Sequence, residues 1–312
     1  MTGYVYDALF LKHFAPGHPE SPERLRVIME KIEKDGLLAK IRHIPATAAS
    51  EEDLLLVHEQ QMIQRVKEAS ENALTWLDPD TYLSPDSYRA AVCAAGGGIK
   101  LVSEIEAGSV SNGIALVRPP GHHATSSRSM GFCLFNNIAI AARYLQKCHS
   151  MSKIAIIDWD VHHGNGTQDI FYNDPTVFYM SIHLYPHYPG TGSQQERGTG
   201  AGLDSTLNIP LGYGASRDHY LDNFSKGLEQ IRNFQPDFIL ISAGFDSHAH
   251  DPLGGLSLLE KDFALMTSQI CEVANDTCRG KVASFLEGGY NLEILASSVS
   301  AHISALMKCH DQ

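Results

Sequence analysis

The segment IIDWDVHHGNG places two carboxylates and an imidazole at alternating positions. If the chain stays extended here, side chains two residues apart point to the same side, so Asp158, Asp160 and His162 share one face. Buried carboxylates are unfavourable unless they are paired or bind a metal ion, which favours a metal site over structural hydrogen bonding, the alternative. Asp246 ends a later apolar stretch and is the natural third ligand beside Asp160 and His162.

The residue types of this set indicate which ion it would hold. Two aspartates and one histidine leave coordination positions open, as a catalytic metal ion requires. Softness and geometry favour Zn²⁺, although an oxygen-rich set also accepts Fe²⁺, Co²⁺ or Mn²⁺. Such an ion polarises a carbonyl and lowers the pKa of a bound water. Asp158 would then orient a neighbouring imidazole or hold a monovalent cation.

A second motif, RPPGHHA, carries the tandem histidines His122 and His123 after an apolar stretch and two prolines that stiffen the approach. One imidazole could take a proton from the attacking water and return it to a leaving amine, while the other supplies charge. Asp158 and Asn165 are candidate partners, an acid for one ring and an amide for the other. A pair of solvated surface histidines is the alternative.

The third motif is EGGYN. Its glycines, Gly288 and Gly289, allow a sharp turn, after which Tyr290 could present its hydroxyl to a developing oxyanion. A purely structural tyrosine is an equal alternative at this point.

The elements that must position these residues are short apolar strands that alternate with helical patterns, which is typical of an α/β fold with a mainly parallel sheet covered on both faces. No linker or repeat divides the chain, and we expect one domain over residues 1–312. The polar clusters follow strands, and ligands of open α/β sheets bind beyond the strands' carboxyl ends, so the clusters should converge on one edge. The predicted strands are 113–117, 153–157, 177–182, 237–242 and 281–286. The predicted helices are 21–34, 84–106, 137–147, 217–233, 260–275 and 292–307, with Ser21 and Ser84 as candidate caps.

Composition narrows the class of protein further. The formal charge of −12 argues against direct binding to nucleic acid and is compatible with a basic substrate. No apolar run reaches the roughly 20 residues of a membrane span, and we expect neither a signal peptide nor a membrane partner. The six cysteines contain no Cys-x-x-Cys pair, which favours reduced thiols in a cytoplasmic protein. The sequence favours no particular oligomeric state.

Eight motifs in order resemble the histone deacetylase family, which includes bacterial histone deacetylase-like amidohydrolases and acetylpolyamine amidohydrolases. They are HPESPERL, YLSPDSYRAA, RPPGHHA, GFCLFNN, DWDVHHGNGTQ, YPGTG, AGFDSHAHDPLGG and EGGYN. The wording of DWDVHHGNGTQ and DPLGG is more similar to the class II branch than to class I. The resemblance implies a single arginase/deacetylase-like α/β domain and a zinc-dependent amidohydrolase that acts on acetyl-lysine of a protein or peptide.

The resemblance also implies a role for individual residues. Zinc would be held by Asp160, His162 and Asp246. His123 would be the general base and then acid, His122 its electrostatic partner, and Tyr290 the oxyanion donor. The tunnel for the acyl-lysine stem would be lined by Gly131, Phe132, Tyr188 and Leu253. A structural potassium ion would use Asp158, Asp160, His162, Ser181 and Ile182, several through carbonyl oxygens.

Particular residues distinguish this function from three alternatives. The related arginases bind two manganese ions with extra carboxylates, whereas the matching positions here are Gly164 and His248, which favours one metal. Polyamine-specific relatives place an acidic residue where this chain has Leu253, so we favour acyl-lysine over an acetylpolyamine. A non-catalytic acyl-lysine binding protein is the third alternative, and the presence of both His123 and Tyr290 argues against it.

Overall fold

The computed structural model describes residues 1–71 and 75–309, and within them eight strands form one parallel sheet. The order across the sheet is β2-β1-β5-β10-β9-β6-β7-β8, and a two-residue hairpin, β3–β4, stands apart from it. The strands are β1 (Thr2–Tyr6), β2 (Arg42–Pro45), β3 (Thr75–Trp76), β4 (Tyr82–Leu83), β5 (Asn112–Ala115), β6 (Ile154–Asp158), β7 (Val177–Leu184), β8 (Thr206–Leu211), β9 (Phe238–Ala243) and β10 (Val282–Leu286).

All pairings between the eight strands are parallel. The α/β fold class and the mainly parallel sheet predicted from the sequence are therefore confirmed. The central strands are buried along their whole length, as a sheet covered on both faces requires. Each of the five predicted strands is present, at bounds that differ by at most two residues.

Helices cover both faces of this sheet. Adjacent residues of β10 show it, because Phe285 packs against Gly98 while Ser284 donates to or accepts from His302 at 2.9 Å on the opposite side. Gly98 and His302 belong to two different long helices. The helices are α1 (Pro22–Lys34), α2 (Glu51–Leu54), α3 (Gln60–Ser70), α4 (Ser87–Glu106), α5 (Asn137–His149), α6 (Asn165–Phe171), α7 (Arg217–Phe234), α8 (Glu260–Cys278) and α9 (Leu292–Leu306).

The six predicted helices are present, but the predicted caps are not. Ser21 occupies the N-cap position of α1 without a side-chain capping bond, and Pro22 is the first helical residue. Helix α4 begins three residues after Ser84, and the Oγ of Ser87 instead accepts the main-chain N–H of Ser84. Across the described ranges, none of the helices has the length and apolar character that crossing a bilayer requires.

The expectation that every cysteine is a free thiol is wrong for one pair. Cys271 on α8 and Cys309 beyond α9 form a disulfide, with Cα atoms 5.3 Å apart. The two residues are separated by 38 positions, and only the packing of α8 against α9 brings them together. The remaining cysteines, Cys93, Cys133, Cys148 and Cys278, are free.

Candidate active site

The four polar clusters predicted from the sequence follow four adjacent strands. Strands β5, β10, β9 and β6 lie side by side in that order in the middle of the sheet. Because all four run in the same direction, their carboxyl ends meet at one edge. Residues 119–123, 287–290, 243–246 and 158–163 therefore surround a common point.

Asp160, His162 and Asp246 form a group in which one ligand atom from each residue lies within 4.8 Å of the others. The Nδ1 of His162 is 3.1 Å from Asp160 Oδ1 and 3.2 Å from Asp246 Oδ2. Both carboxylates are fully buried. Main-chain N–H groups hold them in place, since Val161 donates to Asp246 Oδ1 at 2.8 Å and Gly288 donates to Asp160 Oδ2 at 2.8 Å.

The sequence predicted an extended chain over residues 158–162, and the structure does not have one. Strand β6 ends at Asp158, and the chain bends immediately after it. The bend lets the N–H of His162 donate to Asp160 Oδ1 at 2.9 Å, so these two residues still share a side. Asp158 turns away from the group and its Oδ2 faces His122 and Tyr179 at 3.0 and 3.1 Å.

The electrostatics of the group favour a bound cation. Burial, reinforced by the nearby carboxylate of Asp160, raises the pKa of Asp246 to about 7. Burial would lower the pKa of His162, but its contacts with Asp160 and Asp246 outweigh burial and raise it to about 10. Two buried carboxylates whose ligand atoms lie within 4.8 Å of each other repel unless positive charge lies between them. Without a metal ion, a proton on His162 compensates the negative charges of Asp160 and Asp246. A bound metal ion would compensate the same two carboxylates.

The tandem histidines have the two different partners expected from the sequence. His122 Nδ1 lies 3.0 Å from Asp158 Oδ2, and His123 Nδ1 lies 2.8 Å from Asn165 Oδ1. The two rings are 4.0 Å apart between centroids. An Nδ1–H that donates to the amide oxygen of Asn165 leaves Nε2 of His123 as the unprotonated nitrogen.

The environments of the two rings push their pKa values in opposite directions. Burial opposes the charge on His122, but the carboxylates of Asp158, Asp160 and Glu287 outweigh it and raise its pKa to about 10. Burial, followed by the nearby rings of His122 and His162, holds the pKa of His123 well below its ordinary value. His122 is therefore cationic and His123 neutral, which suits an electrostatic partner and a proton acceptor.

Tyr290 is reached through a turn that tolerates only glycine. A Cβ on Gly288 would lie 2.0 Å from Asp246 Oδ2, and Gly289 has a φ of 121°. The main-chain N–H of Tyr290 donates to Asp251 Oδ2 at 2.6 Å, and its ring meets Phe132 edge-on at 5.8 Å. Burial raises the pKa of Tyr290 well above its ordinary value, so its hydroxyl remains a donor.

A cavity of about 330 Å³ opens onto these groups. The four predicted tunnel residues, Gly131, Phe132, Tyr188 and Leu253, line it together with His122, His123, His162 and Tyr290. Gly131 is needed where it stands, because its φ is 56° and a Cβ would lie 2.4 Å from His123. A larger cavity of about 450 Å³ runs along β8 and α7 and contains none of these residues.

Three of the five residues predicted for a potassium ion lie on neighbouring strands, and Asp160 and His162 follow the end of β6. Asp158 of β6 is directly opposite Ser181 of β7 in the parallel register, and Ile182 follows. The hydroxyl of Ser181 contacts His183 Nδ1 at 2.8 Å, so its side chain already has a partner. The two arginase-like positions carry no carboxylate, and a Cβ on Gly164 would lie 2.2 Å from Asp158 Oδ2. In residues 1–71 and 75–309, one group of potential metal ligands is present.

Several residues that build the site received no role from the sequence. Asp80 and His187 line the cavity. Arg24 is fully buried and donates to the carbonyl oxygens of Glu287 and Gly289. Arg24 lies in the HPESPERL motif, which is the sequence feature that could have indicated a role for it. An arginine within an amphipathic helix is ordinarily exposed, so burial was not expected.

Comparison with known proteins agrees with this geometry. The profile of the histone deacetylase domain matches residues 18–306. Histone deacetylase 10, chloroplastic, from Oryza sativa subsp. japonica is 41% identical over 95% of this chain and 71% of its own length. A probable deacetylase of Archaeoglobus fulgidus is 39% identical over 94% of this chain and 82% of its own. The crystal structure of the HDA15 HD domain superposes with a TM-score of 0.92 at 37% identity, covering 98% of this chain and 88% of that one.

Proposed function

The chain belongs to the histone deacetylase family and is a hydrolase of amide bonds, and on that premise we propose that it removes acetyl or other acyl groups from the ε-amine of lysine in proteins or peptides, with a zinc ion held by Asp160, His162 and Asp246. The observation that carries this proposal is the convergence of that ligand group, the neutral His123 and the hydroxyl of Tyr290 on one cavity.

The donor set fits zinc. Its single imidazole and two carboxylates leave coordination positions open to the cavity, and the ligand atoms are close enough to share one ion. Fe²⁺ or Co²⁺ would be accepted by the same donors, so the metal is part of the proposal. When bound, the ion would polarise the acyl carbonyl and lower the pKa of the attacking water.

His123 has the position and the protonation state of a general base. Its Nε2 is unprotonated, because Nδ1 is engaged by Asn165. The ring lines the cavity and would take the proton of the attacking water, then return it to the departing lysine amine. The cation of His122, fixed by Asp158, faces the same point and would stabilise negative charge that develops there.

Tyr290 would donate a hydrogen bond to the oxyanion that forms as the carbonyl is attacked. Its main chain is fixed by Asp251, and Gly288 and Gly289 bring it beside the ligand group without a clash. A donor that is already in place costs no reorganisation during the reaction.

The walls of the cavity favour an acyl-lysine stem. Phe132, Tyr188 and Leu253 are apolar or aromatic surfaces suited to four methylene groups, and Leu253 offers no charge to a distant ammonium. Asp80 also lines the cavity, so an acetylpolyamine belongs in the test as the competing substrate.

Two further predictions accompany the proposal. A potassium ion held by Asp158, Asp160, His162, Ser181 and Ile182 would stabilise the strand ends below the zinc ligands. A cytoplasmic location also stays a prediction, and the name of the rice relative places that protein in the chloroplast.

The test is turnover of the metal-loaded protein on an acetyl-lysine peptide, with N-acetylputrescine and N-acetylspermidine as competitors and a chelator control. Faster cleavage of the peptide, abolished by the chelator and restored by zinc, is expected. Chelator-resistant cleavage would contradict the metal site, and a preference for the polyamines would contradict the lysine substrate.

A further inference from the structure

Glu287 is a buried carboxylate that lies outside the metal group, and the cationic ring of His122 is the charge nearest to it among the described residues. It is 1% exposed, and it is not among the three residues whose ligand atoms converge. Arg24 contacts its main-chain oxygen, and in the part of the chain that the structure describes no lysine or arginine forms an ion pair with its carboxylate. A buried carboxylate is unfavourable unless its oxygens also accept hydrogen bonds, so the partners of this side chain indicate what it does.

The carboxylate of Glu287 binds the main chain of the histidine loop. Its Oε2 accepts N–H groups from Gly121 at 2.7 Å and from His122 at 3.2 Å, while Oε1 is buried without a partner among residues 1–71 and 75–309. The carbonyl oxygen of His122 accepts the N–H of Thr167 at 3.1 Å from the other side. The peptide units around His122 are thus held from two directions, and His123 follows directly.

The main chain of Glu287 is fixed to the other half of the site. Its N–H donates to the carbonyl oxygen of Ala243 at 3.1 Å, and the next N–H, that of Gly288, donates to Asp160 Oδ2 at 2.8 Å. The guanidinium of Arg24 binds the carbonyl oxygens of both Glu287 and Gly289. These bonds anchor the turn that ends at Tyr290 to the sheet and to a metal ligand.

We propose that Glu287 is a positioning residue that sets the separation of His123 and Tyr290 by tying the histidine loop to the turn before Tyr290. The inference rests on the roles proposed above for His123 and Tyr290. A proton acceptor and an oxyanion donor must both reach the same reacting carbon, and a displacement of about 1 Å lowers turnover by about 10²-fold. Glu287 itself does not line the cavity, whereas His122, which its carboxylate holds, does, so Glu287 acts through the residues it binds.

Two variants separate the acceptor from the rest of the side chain. Glu287→Ala removes the acceptor for both N–H groups, and we expect kcat to fall by about 10²-fold while KM and zinc content stay near their wild-type values. Glu287→Gln keeps an oxygen that accepts the same two bonds, and we expect it to recover most of the lost kcat. Loss of folded protein would also lower the apparent kcat at unchanged KM, but it would lower the zinc content per chain in the same proportion.

Asp262→Ala is the matched control. Asp262 is another fully buried carboxylate, which accepts the N–H of Leu259 and pairs with Arg217, and none of these residues lines the cavity. We expect Asp262→Ala to lower the unfolding temperature but leave kcat of the folded protein unchanged when all proteins are assayed well below their measured transitions. Equal kcat values for Glu287→Ala and wild type, or a Glu287→Gln as slow as Glu287→Ala, would overturn the positioning role. A wild-type protein inactive on acyl-lysine would instead count against the proposed substrate, before any variant is compared.

Discussion

Adding one methyl group at Gly288 should disable the metal site without replacing any of its three ligand residues. A Cβ there would lie 2.0 Å from Asp246 Oδ2 and 2.6 Å from Asp160 Oδ2, closer than real Cβ contacts allow. Gly288 does not have a positive φ, so the effect of Gly288→Ala comes from the added carbon and not from backbone strain. At least one carboxylate must move by about 1 Å.

The expected loss of zinc affinity follows from the role of those carboxylates as ligands. Residues that only support a metal ligand change affinity by about 10–100-fold when mutated, and here the ligands themselves are displaced. We expect zinc affinity of Gly288→Ala to fall by at least about 10²-fold, or about 2.7 kcal/mol. Zinc affinity is measured by competition against a chelating dye, which needs no enzymatic activity.

Gly212→Ala provides the matched control for this substitution. Gly212 is exposed and has no positive φ, and an added Cβ would meet no atom of the described residues within 4 Å. Its zinc affinity should equal that of the wild type. If Gly288→Ala also bound zinc as tightly as the wild type, Asp160 and Asp246 would not be the ligands, and the metal site proposed here would be refuted.

Three further predictions concern catalysis and stability. Tyr290→Phe removes one oxyanion donor and should lower kcat by about 10²–10³-fold with zinc content unchanged, and near wild-type turnover would exclude that role. His123→Ala should lower kcat at least as much, and loss of zinc from this variant would make His123 a ligand instead of a base. Burial lowers the pKa of His302 to about 3 and that of His58 to about 4, from 6.5. Because both pKa values are depressed in the folded state, the stability that these residues contribute is complete above about pH 6.5. It should be lost as pH falls toward 4, by up to about 1.4 kcal/mol per pH unit for each histidine, which urea unfolding at several pH values measures. A His302→Ala variant whose unfolding free energy changes between pH 7 and 4.5 as steeply as that of the wild type would contradict this account.

The sequence predicted the centre of the sheet better than its borders. Strands β6, β9 and β10 are continuous apolar runs, which a buried parallel strand requires. Strand β8 at one edge contains Pro210, which argues against a strand unless its ring nitrogen, which lacks an N–H, faces outward from the sheet. Strand β2 at the other edge has four residues, three of them exposed, and carries no periodic signal.

The sequence pattern could not predict short helices or long-range contacts. Helix α6 begins directly after Gly164, where the glycines of the HHGNG segment read as a loop. The Cys271–Cys309 disulfide depends on how α8 and α9 pack, and cysteine spacing does not reveal that packing. The partners of Asp158 and Asn165 were found because each choice was between few polar residues at one sheet edge.

Glu287 illustrates what sequence reasoning left without a role in the site. Its motif was singled out for the tyrosine, and nothing in the local pattern indicates that its carboxylate reaches the N–H groups of Gly121 and His122, 165 or more positions away. That contact exists because β5 and β10 are neighbours in the sheet although they are far apart in the chain. Topology, which the local pattern did not reveal, therefore determined which residues complete the site.

The most direct test of the central claim is hydrolysis of an acetyl-lysine peptide by the wild-type protein after removal and stepwise return of zinc. We predict no turnover in the metal-free protein and full turnover at one zinc per chain, bound by Asp160, His162 and Asp246. Undiminished turnover by a protein verified to be free of metal would contradict the account.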